Sequence, residues 1–161
     1  MFTWIKNLFG MNDPVFLPGD PRFGFKVEVD GDDLVVRGAN ATWFGGADDP
    51  QDNGETASGI STIKRPNIQA CALPMSYGPC YGSPIPRLPW GIKVQVTHNG
   101  KTITVPVIDL GPSRGTGNAI DLTVAAFKEF APLSKGKIVV DFRIVGALRQ
   151  TLRSHSAGKE I

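Results

Sequence analysis

The sequence has little cysteine, little histidine, no long apolar run and almost no net charge. Its 161 residues include two cysteines and two histidines. Cys71 and Cys80 have no histidine close by, so the four-ligand pattern of a zinc site is missing and no metal or other cofactor is expected. The 17 basic and 15 acidic side chains leave a formal charge of +2, and no block of one sign stands out. That argues against nucleic acid as a partner. No stretch is apolar for long enough to span a bilayer. The opening Met1–Gly10 lacks both the apolar run of roughly 7 to 15 residues and the small-residue cleavage site of a signal peptide. There is no internal repeat.

Glycine and proline, by contrast, are abundant, at 19 and 13 residues, in a chain that is 41% hydrophobic. This composition points to a turn-rich β fold with a core of ordinary size. Residues 1–22 carry Pro14, Pro18 and Pro21 and read as an irregular lead-in. Phe25, Val27 and Val29 then alternate with polar residues, and the Asp30-Gly31 step suits a tight turn into Leu34–Arg37, which predicts a hairpin. A short apolar run, Ala41–Phe44, precedes an aperiodic loop from Gly45 to Asn67, of a length that usually serves function. Ile68–Leu73 reads as a strand and is followed by irregular chain to Pro89. The strongest hairpin alternates through Ile92, Val94 and Val96, turns at Asn99-Gly100, and continues through Ile103, Val105 and Val107. Pro106 within it marks an edge, a bulge or a strand leaving its ladder. Thr123–Phe130 predicts a short helix with Thr123 as N-cap. Lys137–Val145 closes the pattern, with Ile138, Val140, Phe142 and Ile144 on one face. About six or seven strands with one late helix fit a small closed barrel.

Three segments carry a resemblance. Ala41-Thr42-Trp43, the run Val107–Pro112 (Val-Ile-Asp-Leu-Gly-Pro) and Ala119–Phe127 (Ala-Ile-Asp-Leu-Thr-Val-Ala-Ala-Phe) together resemble the double-psi β-barrel of expansins, rare lipoprotein A and glycoside hydrolase family 45. Thr56–Gly59 and Leu88–Gly91 are similar to rare lipoprotein A, and Lys135–Val145 is similar to the closing strand of bacterial expansins. The resemblance covers roughly residues 40–146 and implies a mainly β fold: a six-stranded double-psi β-barrel with one short helix and an added N-terminal β-hairpin. The expected organisation is a lead-in over 1–22, a hairpin over 23–39 packed on the barrel, the barrel over 40–146, and a polar tail over 147–161.

The resemblance also implies a site. Asp109 and Asp121 match the family aspartates that line one groove, Asp121 as the general acid, with Thr42 beside them. The groove is expected between the loops Gly45–Asn67, Met75–Pro89 and Gly111–Asn118. Trp43, Tyr77, Tyr81 and Trp90 can stack on sugar rings or pack in core and loops. Glu55, Ser58 and Arg114 are further substrate-binding candidates. In residue terms alone, burial at a strand end raises the Asp121 pKa, whereas a following helix start lowers it. A turn-forming role serves equally for either aspartate. Cys71 and Cys80 are either two independent thiols or a disulfide, which needs an oxidising compartment. The chain departs from rare lipoprotein A at Ile60, where that family has a glutamate, and at Ile85, where it has a histidine. It departs from bacterial expansins at Gly111, where they have a tyrosine. Asp48, Asp49 and Asp52 are alternative second carboxylates. The expected function is cleavage of cell-wall polysaccharide, peptidoglycan rather than cellulose, by a lytic transglycosylase-like or hydrolytic acid/base step. The alternatives are a non-catalytic expansin-like wall-binding module and a phage-derived structural component. The expected site of action is extracellular or periplasmic, with phage-borne delivery as one route, and the expected state is a monomer.

Overall fold

Alternation of buried and exposed side chains marks out the strands. In β7 (Ile138–Ile144), Ile138, Val140, Phe142 and Ile144 are buried while Val139 and Asp141 face water, the period of two that a half-buried strand imposes. The computed structural model describes residues 27–46, 49, 52–74, 90–112, 116–147 and 149. The other elements are β1 (Val27–Asp30), β2 (Asp33–Phe44), β3 (Cys71–Leu73), β4 (Lys93–His98), β5 (Lys101–Leu110), β6 (Ile120–Thr123) and a helix α1 (Val124–Lys128). A single 3-10 turn, Leu133–Lys135, lies between α1 and β7.

The strand order is β1-β2-β6-β3-β5-β4-β7, and a further β2–β7 pairing closes six of the strands into a ring. β2 runs parallel to β6 and β3 parallel to β5, while the other ring pairs are antiparallel. This mixed ring is a double-psi β-barrel with one extra strand, β1. β1 pairs with the start of β2, and β2 continues without interruption into the barrel, so a single strand joins the hairpin and barrel segments. The β2–β7 register slips between Val36 and Ala39. There Gly38 adopts φ 62°, open to glycine, and its N–H donates to Asp141 Oδ1 at 2.7 Å.

Pro106 sits where β5 changes partner. The ladder to β4 ends at Lys93↔Pro106 and the ladder to β3 begins at Cys71↔Val107. A residue with no N–H to donate is tolerated at such a handover. The β4–β5 turn places Asn99 at φ 48° and Gly100 at φ 80°, the paired positive angles of a tight hairpin turn.

Phe127, Phe142, Leu73, Ile120, Leu122 and Ile144 fill the barrel and are among its largest fully buried side chains. Each contributes roughly 1.5–3 kcal/mol relative to exposure. The helix, at five residues, is too short to stand alone and is held by buried Ala126 and Phe127. Thr123 occupies the N-cap position, but its hydroxyl makes no capping bond. It donates instead to Ile68 O at 2.7 Å and accepts from Ala70 N–H at 3.0 Å. The Thr123 backbone N–H also donates to Ala70 O at 3.0 Å, so both the side chain and the backbone of Thr123 hold the chain before Cys71, and the strand expected from Ile68 begins only at Cys71. No helix among the described residues is long and apolar enough to cross a membrane.

Candidate active site

Register brings three of the expected residues into one row. Thr42 of β2 pairs with Asp121 of β6, Asp121 pairs with Ala72 of β3, and Ala72 pairs with Asp109 of β5. Residues directly opposite in a ladder share a face. Their neighbours Ala41, Cys71, Leu73, Ile120 and Leu122 belong to the core, so the row lies on the outer surface of the barrel. With strands about 4.8 Å apart, the two aspartate backbones stand about 10 Å from each other, separated only by an alanine.

A β-bulge makes this row. Strict alternation from buried Val107 would turn Asp109 into the core. The β3–β5 register instead steps from Cys71↔Val107 to Ala72↔Asp109, passing over Ile108, so Asp109 emerges on the outside. Its Oδ1 accepts the N–H of Ala57 at 2.9 Å and of Leu110 at 2.8 Å. The Ser58 N–H donates to Ile108 O at 3.1 Å. These bonds fasten the Thr56–Gly59 turn beside the row. Within the turn, Thr56 Oγ1 donates to Ile60 O at 2.7 Å and lies 3.0 Å from Ser58 Oγ. Glu55 is exposed on the same loop, bridged through its backbone to Ser61.

Asp121 is half-buried, and the Thr42 hydroxyl donates a hydrogen bond to its Oδ1. Its other oxygen faces Gly111, where a side-chain carbon would stand 3.7 Å from Oδ2. Burial pushes the Asp121 carboxyl above the ordinary aspartate value; the Thr42 hydroxyl pulls it down, and the charges of Asp109 and Asp49 push it up again. The net effect is upward. A carboxyl so placed keeps its proton to higher pH than a free aspartate and can donate it.

The remaining candidates lie elsewhere. Trp43 points to the opposite face of β2 from Thr42; it packs against the core and donates its indole N–H to Leu133 O at 3.1 Å. Trp90 is 42% exposed, next to Gly91, whose N–H donates to Val107 O. Tyr77, Tyr81, Arg114 and Cys80 lie outside the described residues, as do the Met75–Pro89 loop and the Cys71–Cys80 pairing; Cys71 itself is buried in the core. Among the described residues, no group of three or more His, Cys, Asp or Glu is disposed to hold a metal. Two participants carried no distinct signal in the sequence: Ala72, a small residue on a short strand, and Asp49, one of three loop aspartates.

The outer face across β2, β7 and β4 is built differently. Arg143 of β7 donates to Asp33 Oδ2 and Asp30 Oδ2, each at 2.8 Å, and Asp33 Oδ1 accepts the Gly146 N–H at 2.7 Å. Burial pushes Asp33 up, but the Gly146 N–H and Arg143 outweigh it and hold the carboxyl below its ordinary value. An open cleft of about 280 Å³ lies here, lined by Arg37, Gln95, Thr97, Asp141 and Arg143 among others.

The closed mixed ring and the Thr42–Asp121–Asp109 row together define a double-psi β-barrel with a carboxyl-lined outer surface. The family model described as lytic transglycolase matches residues 37–142, and the chain belongs to that family. Part of the chain is also similar to a papain inhibitor of Streptomyces mobaraensis, at 48% identity over 48 residues, 30% of this chain and 33% of the relative. The match spans about a third of that relative's length. A solved structure of the Streptomyces papain inhibitor aligns with a TM-score of 0.48 and 29% identity, over 68% of this chain and 94% of the other.

Proposed function

We propose that this barrel cleaves the glycan strands of peptidoglycan, with Asp121 as the acid. The observation that carries the reading is the half-buried Asp121 carboxyl, held by a neutral hydroxyl and flanked by carboxylates, so that it retains a proton to donate. Membership of the lytic transglycolase family supports the same reaction class. Asp121 protonates the glycosidic oxygen as the bond from that oxygen to the anomeric carbon breaks. A hydroxyl of the same sugar attacks the anomeric carbon and returns its proton to the Asp121 carboxylate, leaving an anhydro end. One acid/base residue suffices for this sequence. Asp109 has a positioning role: its Oδ1 accepts the N–H of Leu110 on its own strand and the N–H of Ala57, and the second bond holds the Thr56–Gly59 turn in place. The site of action is then the cell wall, outside the cytoplasm.

Wild type, Asp109→Asn and Asp121→Asn are to be incubated with intact and peptide-stripped peptidoglycan, with products read by mass spectrometry. Anhydro-ended fragments from wild type that disappear with Asp121→Asn support the proposal. Reducing ends would identify a hydrolase instead. Pelleting with the wall and no release would mean an expansin-like binder.

The segment shared with a papain inhibitor favours a second reading, a non-catalytic barrel that binds a papain-like protease. Titrating the protein against papain activity separates the two. Inhibition without glycan release supports the second reading, and release without inhibition supports the first.

A further inference from the structure

The loop that leaves β2 is pressed against the far end of the carboxyl row. Gly45 and Gly46 adopt φ 77° and 87°, angles that suit glycine, and a side chain would clash at the first and be crowded at the second. A Cβ on Gly45 would stand 2.6 Å from Thr62 Oγ1, and one on Gly46 would stand 3.1 Å from Val124 Cγ2. Val124 lies three residues beyond Asp121, so the chain leaving Thr42 is held at once against the junction of β6 and α1. Asp49 closes the turn: its N–H donates to Gly46 O at 3.3 Å, and its Oδ2 accepts the Gly45 N–H at 3.3 Å.

We propose that Asp49 is a positioning residue of this site, a third carboxylate fixed by the Gly45–Gly46 turn so that its negative charge bears on Asp121. The assignment rests on the reading of Asp121 as the acid. Among the described residues, the groups acting on Asp121 are the Thr42 hydroxyl from β2, the Asp109 carboxylate from β5 and the Asp49 carboxylate from the loop. Two anions opposing the ionisation of one carboxyl widen the pH range over which it holds its proton. Asp52, three residues further along, braces its own turn instead, and its Oδ1 accepts the Gly54 N–H at 2.7 Å.

The test follows the Asp121 carboxyl carbon by NMR through a pH titration of the full chain, in wild type, Asp49→Asn and Asp52→Asn. Asn retains an acceptor for the Gly45 N–H, so the turn survives the substitution. Asp49→Asn is expected to lower the Asp121 midpoint, and Asp52→Asn to leave it in place. Where glycan release is measurable, the basic limb of its pH profile moves down by the same amount, with the acid-side rate near wild type. An Asp121 midpoint unchanged by Asp49→Asn overturns the proposal, as does a uniform loss of release with no shift in the profile. A midpoint that moves in a protein releasing no glycan supports the Asp49–Asp121 coupling and counts only against the catalytic reading.

Discussion

Two polar faces on one barrel treat aspartate in opposite ways. Across β2, β7 and β4, Asp30 and Asp33 grip Arg143, and Asp33 also takes a backbone N–H, so negative charge is matched and the Asp33 carboxyl is held below its ordinary value. Across β2, β6, β3 and β5, burial and the charges of Asp109 and Asp49 hold Asp121 above its ordinary value against the pull of Thr42. The first arrangement joins the β1–β2 turn to β7 and stabilises the fold. The second places carboxylates together at a cost to stability, and perturbed groups of that kind gather where chemistry is done.

The comparison is sharpened most by Asp121→Asn, which should lower glycan release by about 10²–10⁴-fold with an unchanged circular dichroism spectrum. Because the folded protein raises the Asp121 pKa, its contribution to stability is fully present below the ordinary aspartate value. It is lost as pH rises through the folded value. Urea denaturation at acid and neutral pH should show this loss in wild type and not in Asp121→Asn. On the other face, Asp33→Ala should cost about 1–3 kcal/mol at neutral pH, since it strands the Gly146 N–H and one arm of Arg143. The Asp33 carboxyl is held down, so its contribution exists above the ordinary aspartate value and fades as pH falls through the folded one. The deficit of Asp33→Ala should therefore shrink in strong acid.

A smaller change is expected from Thr42→Val, about 0.5–1.5 kcal/mol at neutral pH. Removing the hydroxyl that favours the charged form moves the Asp121 midpoint, followed by NMR, to higher pH. Asp30→Asn should cost less than about 1 kcal/mol, because Asp30 is 63% exposed and Arg143 keeps Asp33. If equilibrium denaturation gave Asp30→Asn and Asp33→Ala the same large cost, the anchoring role of Asp33 would be wrong.

Strands written as alternation were legible in the sequence. The hairpin turning at Asn99-Gly100 and the run from Ile138 to Ile144 form as the pattern requires, and Pro106 stands where β5 leaves its ladder. Ring closure and the parallel pairs join segments far apart in the chain, which periodicity does not report; the family resemblance supplies them. The apolar pattern overextends β3: Ile68 O and the Ala70 N–H bond to the Thr123 hydroxyl and Ala70 O takes the Thr123 N–H, partners that no local pattern reveals. Asp121 and Thr42 are legible through motif likeness, whereas the sign of the Asp121 shift comes only with burial. Trp43 shares the Thr42 motif, but alternation along β2 sends it to the other face. Asp49 cannot be told from Asp48 and Asp52 until the Gly45–Gly46 turn fixes its place.

The step from Cys71↔Val107 to Ala72↔Asp109 also constrains how such a barrel can change over time. Because side chains alternate, drawing Ile108 into the ladder opposite Ala72 would move Asp109 on by one place and turn that carboxylate inward among apolar neighbours. Asp121, fixed by its own pairing to Thr42, would stay outside. A lineage of such barrels should therefore keep both carboxylates outward either with one unpaired residue at this step or, where Ile108 is deleted, with none.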